Sequence, residues 1–226
     1  TTYPIDRAYT AQLLDFPKVC ENSLDAVSDR DFLVEFLASA SLCMIHFSRF
    51  SEELILWSSA EFGFIELPDA FTTGSSIMPH KKNPDLFELV RAKCNVIQGL
   101  PNQLSLLTTN LTSGYHRDLQ LTKALLLPGI QELKACLEIM TSSLGRVEVS
   151  PDILKDPRYD YLFSVDSLDS MVQEGVPFRE AYKRMAAMIE SGEFKPKRNV
   201  RHTHQGSLGN LSLDKIKEKI RDAWPG

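Results

Sequence analysis

Phe36-Leu37-Ala38-Ser39-Ala40-Ser41-Leu42-Cys43-Met44-Ile45-His46-Phe47-Ser48-Arg49-Phe50-Ser51-Glu52-Glu53-Leu54-Ile55-Leu56-Trp57 lies within a longer stretch, 31–62, in which Phe36, Ala40, Cys43, Phe47, Phe50, Leu54 and Trp57 recur at alternating spacings of four and three. That period places one apolar stripe along a long helix. A second stripe through Leu33, Leu37 and Met44 gives the helix another buried side. A helix apolar on two sides is expected inside a bundle rather than on its rim.

Outward from this helix, Gly63 and Pro68 are expected to close it, and 71–84 reads as loop: small residues, a glycine, two prolines and adjacent lysines. Pro84 suits a helix start. A second long helix is expected over 85–110, bent or broken at Gly99-Leu100-Pro101, where proline removes a backbone donor. A third is expected over 119–144, with Leu126, Ile130, Leu133, Leu137 and Met140 on one face and a kink at Pro128. After Gly145 the pattern shortens, predicting helices at 152–156, 167–174, 178–190 and 213–223, with 193–210 as a polar loop. No strand alternation, repeat or low-complexity tract competes. The fold class expected is all-α: residues 1–146 as part of a long central helix bundle, and 147–226 as a small helical C-terminal domain.

With 226 residues, 43% of them hydrophobic, the chain can fill an ordinary core. Apolar runs such as the one around Leu125–Leu127 are far below the roughly 20 residues that cross a bilayer, and Thr1-Thr2-Tyr3-Pro4 has no signal pattern, so no membrane partner and a cytoplasmic location are expected. A net charge of −5 without a basic block argues against nucleic acid. The best basic cluster, Lys195-Pro196-Lys197-Arg198 with Arg201, reads as a solvated loop. Cys20, Cys43, Cys94 and Cys136 lack Cys-x-x-Cys spacing and read as buried free thiols. His202 and His204 could hold a metal only with a third ligand, so no metal is expected. The absence of Met at position 1 and the turn-like Tyr3-Pro4-Ile5-Asp6 lead us to expect a piece of a longer protein.

The loop carries the chemistry. Gly74-Ser75-Ser76 brings hydroxyls and backbone N–H groups close to any anionic ligand, and Lys81-Lys82 adds positive charge. The residues alone leave two readings open: an anion site or a solvated loop. The whole string Gly74-Ser75-Ser76-Ile77-Met78-Pro79-His80-Lys81-Lys82-Asn83-Pro84 resembles the signature of the fumarase/aspartase superfamily, which includes fumarase, aspartase, adenylosuccinate lyase and argininosuccinate lyase. The resemblance implies removal of a proton next to a carboxylate and expulsion of an amine or hydroxide from the neighbouring carbon, without metal or organic cofactor. It implies that Ser75 transfers the proton, Lys81 stabilises the doubly charged intermediate, Asn83 donates a hydrogen bond, and the loop closes as a lid.

The segment Glu21–Phe32 looks like the one that leads into the first central helix of the argininosuccinate lyase family, although Asp29 and Asp31 also suit a helix N-terminus on their own. Tyr115-His116-Arg117-Asp118-Leu119-Gln120-Leu121-Thr122-Lys123 resembles that family's substrate-binding segment, which implies that Tyr115, Gln120 and Lys123 bind substrate. Gln120 and Lys123 are three apart and are expected on one helix face. Glu88 matches the glutamate that raises the basicity of a histidine supplied by another segment, and no histidine here has that segment's context. Gly175-Val176-Pro177-Phe178-Arg179-Glu180-Ala181 resembles the family's C-terminal domain. His80, His116-Arg117 and Leu121-Thr122 depart from the usual pattern.

The resemblance covers nearly the whole chain but only the C-terminal half of such an enzyme. It implies a homotetramer with each site shared between subunits, argininosuccinate as the small-molecule substrate, and a role in arginine biosynthesis. Adenylosuccinate lyase is the runner-up, and a non-catalytic crystallin-like relative is the alternative from another class. An isolated fragment is expected to be inactive, and to self-associate through its three long helices.

Overall fold

Two short polar side chains begin helices near the N-terminus of this computed structural model, which describes residues 2–200 and 202–224. The Asp6 carboxylate accepts from the Tyr9 N–H at the start of α1 (Arg7–Leu13), and the Asn22 amide oxygen accepts from the Leu24 and Asp25 N–H groups at the start of α2 (Ser23–Ser28). Asp29 accepts from the Asp31 N–H at 2.9 Å, at the first turn of α3 (Asp31–Trp57). Asp29 and Asp31 thus sit where the helix dipole favours negative charge. Neither α1 nor α2 buries a residue completely.

Helix α3 is the spine of the first of two compact units, which runs to Ser150. It packs along α4 (Asp85–Gln98) and α5 (Leu100–Thr108), and α6 (Thr122–Leu144) lies against all three. The expected break of the second long helix falls at Gly99, with Pro101 in the first turn of α5, where a missing N–H costs nothing. The core gathers Leu37, Met44, Leu54, Phe87, Val90, Cys94, Ile97, Leu104, Cys136 and Met140. The buried line on α3 is Leu37, Ala40, Met44, Ser51 and Leu54, so it draws Leu37 and Met44 from the second stripe and Ala40 and Leu54 from the first, while Phe47, Phe50 and Trp57 of the first stripe are partly buried and Phe36 is exposed. Helix α3 ends at Trp57, earlier than expected, because Ser58–Gly63 turns back: the Gly63 N–H bonds to Ser59 and the Phe64 N–H to Trp57.

The buried line of α6 is Thr122, Gly129, Cys136, Met140 and Ser143, rotated from the face of large residues that the sequence suggested. Small side chains let α6 approach closely: a Cβ on Gly129 would lie 2.7 Å from Leu100 Cδ1. The helix runs through Pro128 without ending. A feature the sequence reading missed is a two-residue antiparallel ladder, β1 (Ile65–Glu66) against β2 (Glu148–Val149), which ties the chain after α3 to the chain after α6.

Of the four thiols, Cys94 and Cys136 are buried, Cys43 is partly buried, and Cys20 is exposed, which corrects the expectation that all are buried. Burial pushes the Cys94 thiol up to about 12. Helix α3 is also long and apolar enough by length and composition to cross a membrane, a point that uninterrupted apolar runs had not revealed. Its packing inside the bundle and the exposed Arg49–Glu53 and Arg91–Glu52 ion pairs along it are those of a bundle helix.

The second unit, from Pro151, begins with 3-10 turns at Ile153–Lys155 and Pro157–Phe163. Helices α7 (Ser164–Gln173) and α8 (Phe178–Glu190) pack through Leu168, Ala181 and Met185. The polar segment that follows is held by Arg198 to Asp160 and by His202 to Asp166, the latter at 3.0 Å, and α9 (Leu213–Ala223) is the last helix among the described residues. Arg201, the remaining member of the basic cluster, lies outside the described residues. Among the described residues no group of three His, Cys, Asp or Glu side chains is placed to hold a metal, His202 and His204 included.

Candidate functional site

Between the 3-10 turn Asp69–Phe71 and α4, the loop is pinched at its neck. Thr73 and Asn83 pair as an isolated antiparallel bridge, Thr73 N–H to Asn83 C=O at 3.1 Å and Asn83 N–H to Thr73 C=O at 2.9 Å. The Asn83 side-chain amide donates to the same Thr73 carbonyl at 3.2 Å, and the Thr73 hydroxyl donates to the Asp85 carboxylate in the first turn of α4. Thr73 and Asp85 were not singled out by the sequence reading. Their partnership spans twelve residues and becomes visible only once the loop is closed on itself.

Inside that neck, Ser75 Oγ accepts from the backbone N–H groups of Ile77 and Met78, both at 3.2 Å. This is a local serine turn. Its chemical consequence is that two N–H dipoles point at the one oxygen that would carry negative charge if the hydroxyl lost its proton. Ser75 is partly buried, whereas Ser76, Ile77, Pro79, His80 and Lys81 are exposed.

The two lysines are sorted by their surroundings. Lys82 Nζ sits 2.6 Å from an Asp69 carboxylate oxygen and 3.8 Å from Glu66, and its hydrogen bond to Asp69 holds the ammonium above the usual lysine value. Lys81 makes no ion pair among the described residues, so its charge is free to meet an anion. One helical turn beyond the loop, Glu88 stands exposed in the first turn of α4.

The second group is built differently. After α5, Asn110 at φ 66° and Gly114 at φ 109° turn the chain, and Arg117–Leu121 forms a 3-10 segment that feeds into α6. Gln120 is therefore on the 3-10 turn and Lys123 on α6, not on one continuous α-helix as expected. The Gln120 amide donates to Tyr115 Oη at 3.1 Å. The His116 ring meets Thr112 at its carbonyl, 2.9 Å, and hydroxyl, 3.2 Å. Lys123 is exposed in the first turn of α6, where the helix dipole disfavours a cation. Buried Leu119 and Thr122 anchor the segment beneath these three side chains.

Ser75, Lys81, Asn83 and Glu88 thus share the end of the bundle where α4 begins, and Tyr115, Gln120 and Lys123 share the end where α5 stops. Between them lie α4 and α5, residues 85–108, about 35 Å of helix at 1.5 Å per residue. A single copy does not bring the two groups into one small-molecule site.

Residues 1–99 match the family model described as Lyase. The argininosuccinate lyase of Phocaeicola vulgatus is 43% identical over all of this chain and 51% of its own length. That of Parabacteroides distasonis is 46% identical over 98% of the chain and 50% of its own length. Among solved structures, an EDDS lyase in complex with formate superposes with a TM-score of 0.71 at 27% identity, covering 85% of this chain and 39% of the other. The chain spans about half the length of the curated relatives it matches. A bundle built on α3 to α6, a Ser75 loop that carries the full signature string, and homology along the whole chain together assign it to the fumarase/aspartase superfamily of lyases, within which it is a relative of the argininosuccinate lyases.

Proposed function

We propose that the protein carrying this chain is an argininosuccinate lyase, which eliminates L-arginine from argininosuccinate and leaves fumarate. Ser75 Oγ, acting as the alkoxide, takes the proton from the carbon beside a succinyl carboxylate and becomes the hydroxyl. The electron pair left behind moves into that carboxylate, which becomes doubly charged, and Lys81 sits against it. The pair then returns to form the fumarate double bond as the carbon–nitrogen bond breaks, and the electrons of that bond leave with the nitrogen, so the arginine side chain departs as a neutral guanidine and regains its proton from its surroundings. The observation that carries this reading is the pair of N–H groups aimed at Ser75 Oγ. A serine is a poor base because its alkoxide is high in energy, and two fixed dipoles, joined by the Lys81 charge when the loop closes, lower that energy where water is excluded.

The remaining roles follow the same logic. Asn83 holds the neck of the loop in place and presents its amide beside the reacting carboxylate. Gln120 and Lys123, an amide and an ammonium, suit an amino-acid carboxylate, and the Tyr115 hydroxyl, already bonded to Gln120, keeps that amide aimed. Glu88 is the partner for a histidine contributed by another segment. Because the two groups of side chains sit at opposite ends of the bundle, the reading requires that each site be shared between copies, as in a homotetramer. It also makes this chain inactive by itself, and the cytoplasm remains the location we propose for the reaction. No step calls for a cofactor. Exposed apolar side chains on the long helices, among them Phe32, Leu42, Ile45, Leu89 and Val96, supply surface for the assembly.

Fumarate release, followed by ultraviolet absorbance, tests the reading in a full-length protein carrying this chain. Activity on argininosuccinate and none on adenylosuccinate is expected, with a loss of at least about a thousandfold in kcat in Ser75→Ala, in keeping with removal of the proton-transferring group. Activity on adenylosuccinate alone, or full activity in the variant, contradicts it.

A further inference from the structure

Lys81 and Lys82 are neighbours in sequence with opposite fates. Lys82 reaches across the neck of the loop to Asp69, at 2.6 Å, and Glu66, at 3.8 Å. Glu66 belongs to β1, which is paired to β2, and Asp69 opens the 3-10 turn Asp69–Phe71. These are the parts of the bundle end that the loop does not belong to. The Lys81 N–H donates to Met78 C=O at 3.0 Å and so forms the far turn of the loop. Lys82 is therefore the last side chain to grip the fixed body before the chain enters the Asn83 bridge. Without it, the arm that ends in Lys81 has no ion pair or side-chain hydrogen bond to the bundle above the neck among the described residues.

We propose that Lys82 is a positioning residue for the reaction: its ion pairs with Asp69 and Glu66 moor the outgoing arm of the loop so that Lys81, one residue earlier, is held at a fixed place opposite Ser75. The inference rests on the lyase reading of Ser75 and Lys81 above. The mooring is suited to a loop that must also move. Its members are exposed, so its strength is limited by solvent screening, and it can release without the disruption that breaking a buried pair causes. Two carboxylates already neutralise Lys82, so its own charge adds little at the site. What it supplies is geometry, and geometry is felt in the transition state more than in substrate binding.

The test uses a full-length protein carrying this chain, and compares Lys82→Met, Asp69→Asn and Lys82→Arg. Two readings are made on each: steady-state fumarate release from argininosuccinate, and amide hydrogen exchange across residues 74–83. Lys82→Met and Asp69→Asn are expected to lower kcat about tenfold or more while KM changes less than about threefold, and to speed exchange at Ile77, Met78 and Lys81 with the Asn83 amide unchanged. Lys82→Arg keeps the ion pairs and is expected to recover most of the lost kcat. Unchanged exchange in Lys82→Met and Asp69→Asn overturns the mooring whatever the activity. Faster exchange with unchanged kcat overturns the positioning role while leaving the lyase reading intact. A parent that releases no fumarate overturns the lyase reading and the positioning role with it.

Discussion

Gly129 sits where α6 crosses the junction of α4 and α5, and a Cβ there would meet Leu100 Cδ1 at 2.7 Å and Leu37 Cδ2 at 3.7 Å. A sequence reading that follows large apolar residues passes over it, because the close face of α6 is carried by Thr122, Gly129, Cys136 and Ser143 at seven-residue intervals. Gly129→Val is expected to destabilise the bundle by about 1–3 kcal/mol through overpacking, seen as a lower denaturation midpoint. Equal or higher stability would show that α6 can back away. The core thiols give a second prediction. Burial raises Cys94 to about 12 from an ordinary value near 9, so the folded state keeps a proton that the unfolded chain gives up. Its contribution to stability is fully present below pH 9 and is lost as pH rises from 9 through 12. Denaturant unfolding across that range is expected to show falling stability, with a smaller fall in Cys94→Ala. An identical slope in the variant would assign the alkaline loss to other groups.

At the scale of elements, punctuation decides what the sequence shows. Helix α8 runs from Phe178 to Glu190 as read, because Pro177 precedes it and Ser191-Gly192 follows it. Helix α3 ends before Phe62 because Ser58–Gly63 folds back through backbone bonds that leave no compositional mark. The β1–β2 pair, two residues long, is too short to show alternation. The signature loop was legible as a loop, and Ser75, Lys81 and Asn83 stood out in it through family resemblance. Its neck was not, because Thr73, Asn83 and Asp85 come together only through long-range closure. If the neck holds the loop as described, Thr73→Val, which deletes the hydroxyl bonded to Asp85, should speed exchange of the Asn83 amide while moving overall stability by no more than about 1 kcal/mol. No change in exchange would mean that the backbone bridge suffices alone.

Over the whole molecule, the placement of Ser75 and Gln120 at opposite ends of about 35 Å of helix has the widest consequence. The residue types stood out in the sequence, whereas their separation did not, because it depends on α4 and α5 following one another along α3 on either side of Gly99. A site that needs both must draw them from different copies. The decisive measurement mixes Ser75→Ala and Gln120→Ala variants of a full-length protein carrying this chain, lets the subunits exchange, and follows fumarate release from argininosuccinate. Each variant alone is expected to be nearly inactive, and the mixture is expected to regain activity, because some sites in mixed assemblies receive an intact Ser75 from one copy and an intact Gln120 from another. A mixture that exchanges subunits yet stays as inactive as its parts, beside an active parent, would contradict the shared site and the account built on it.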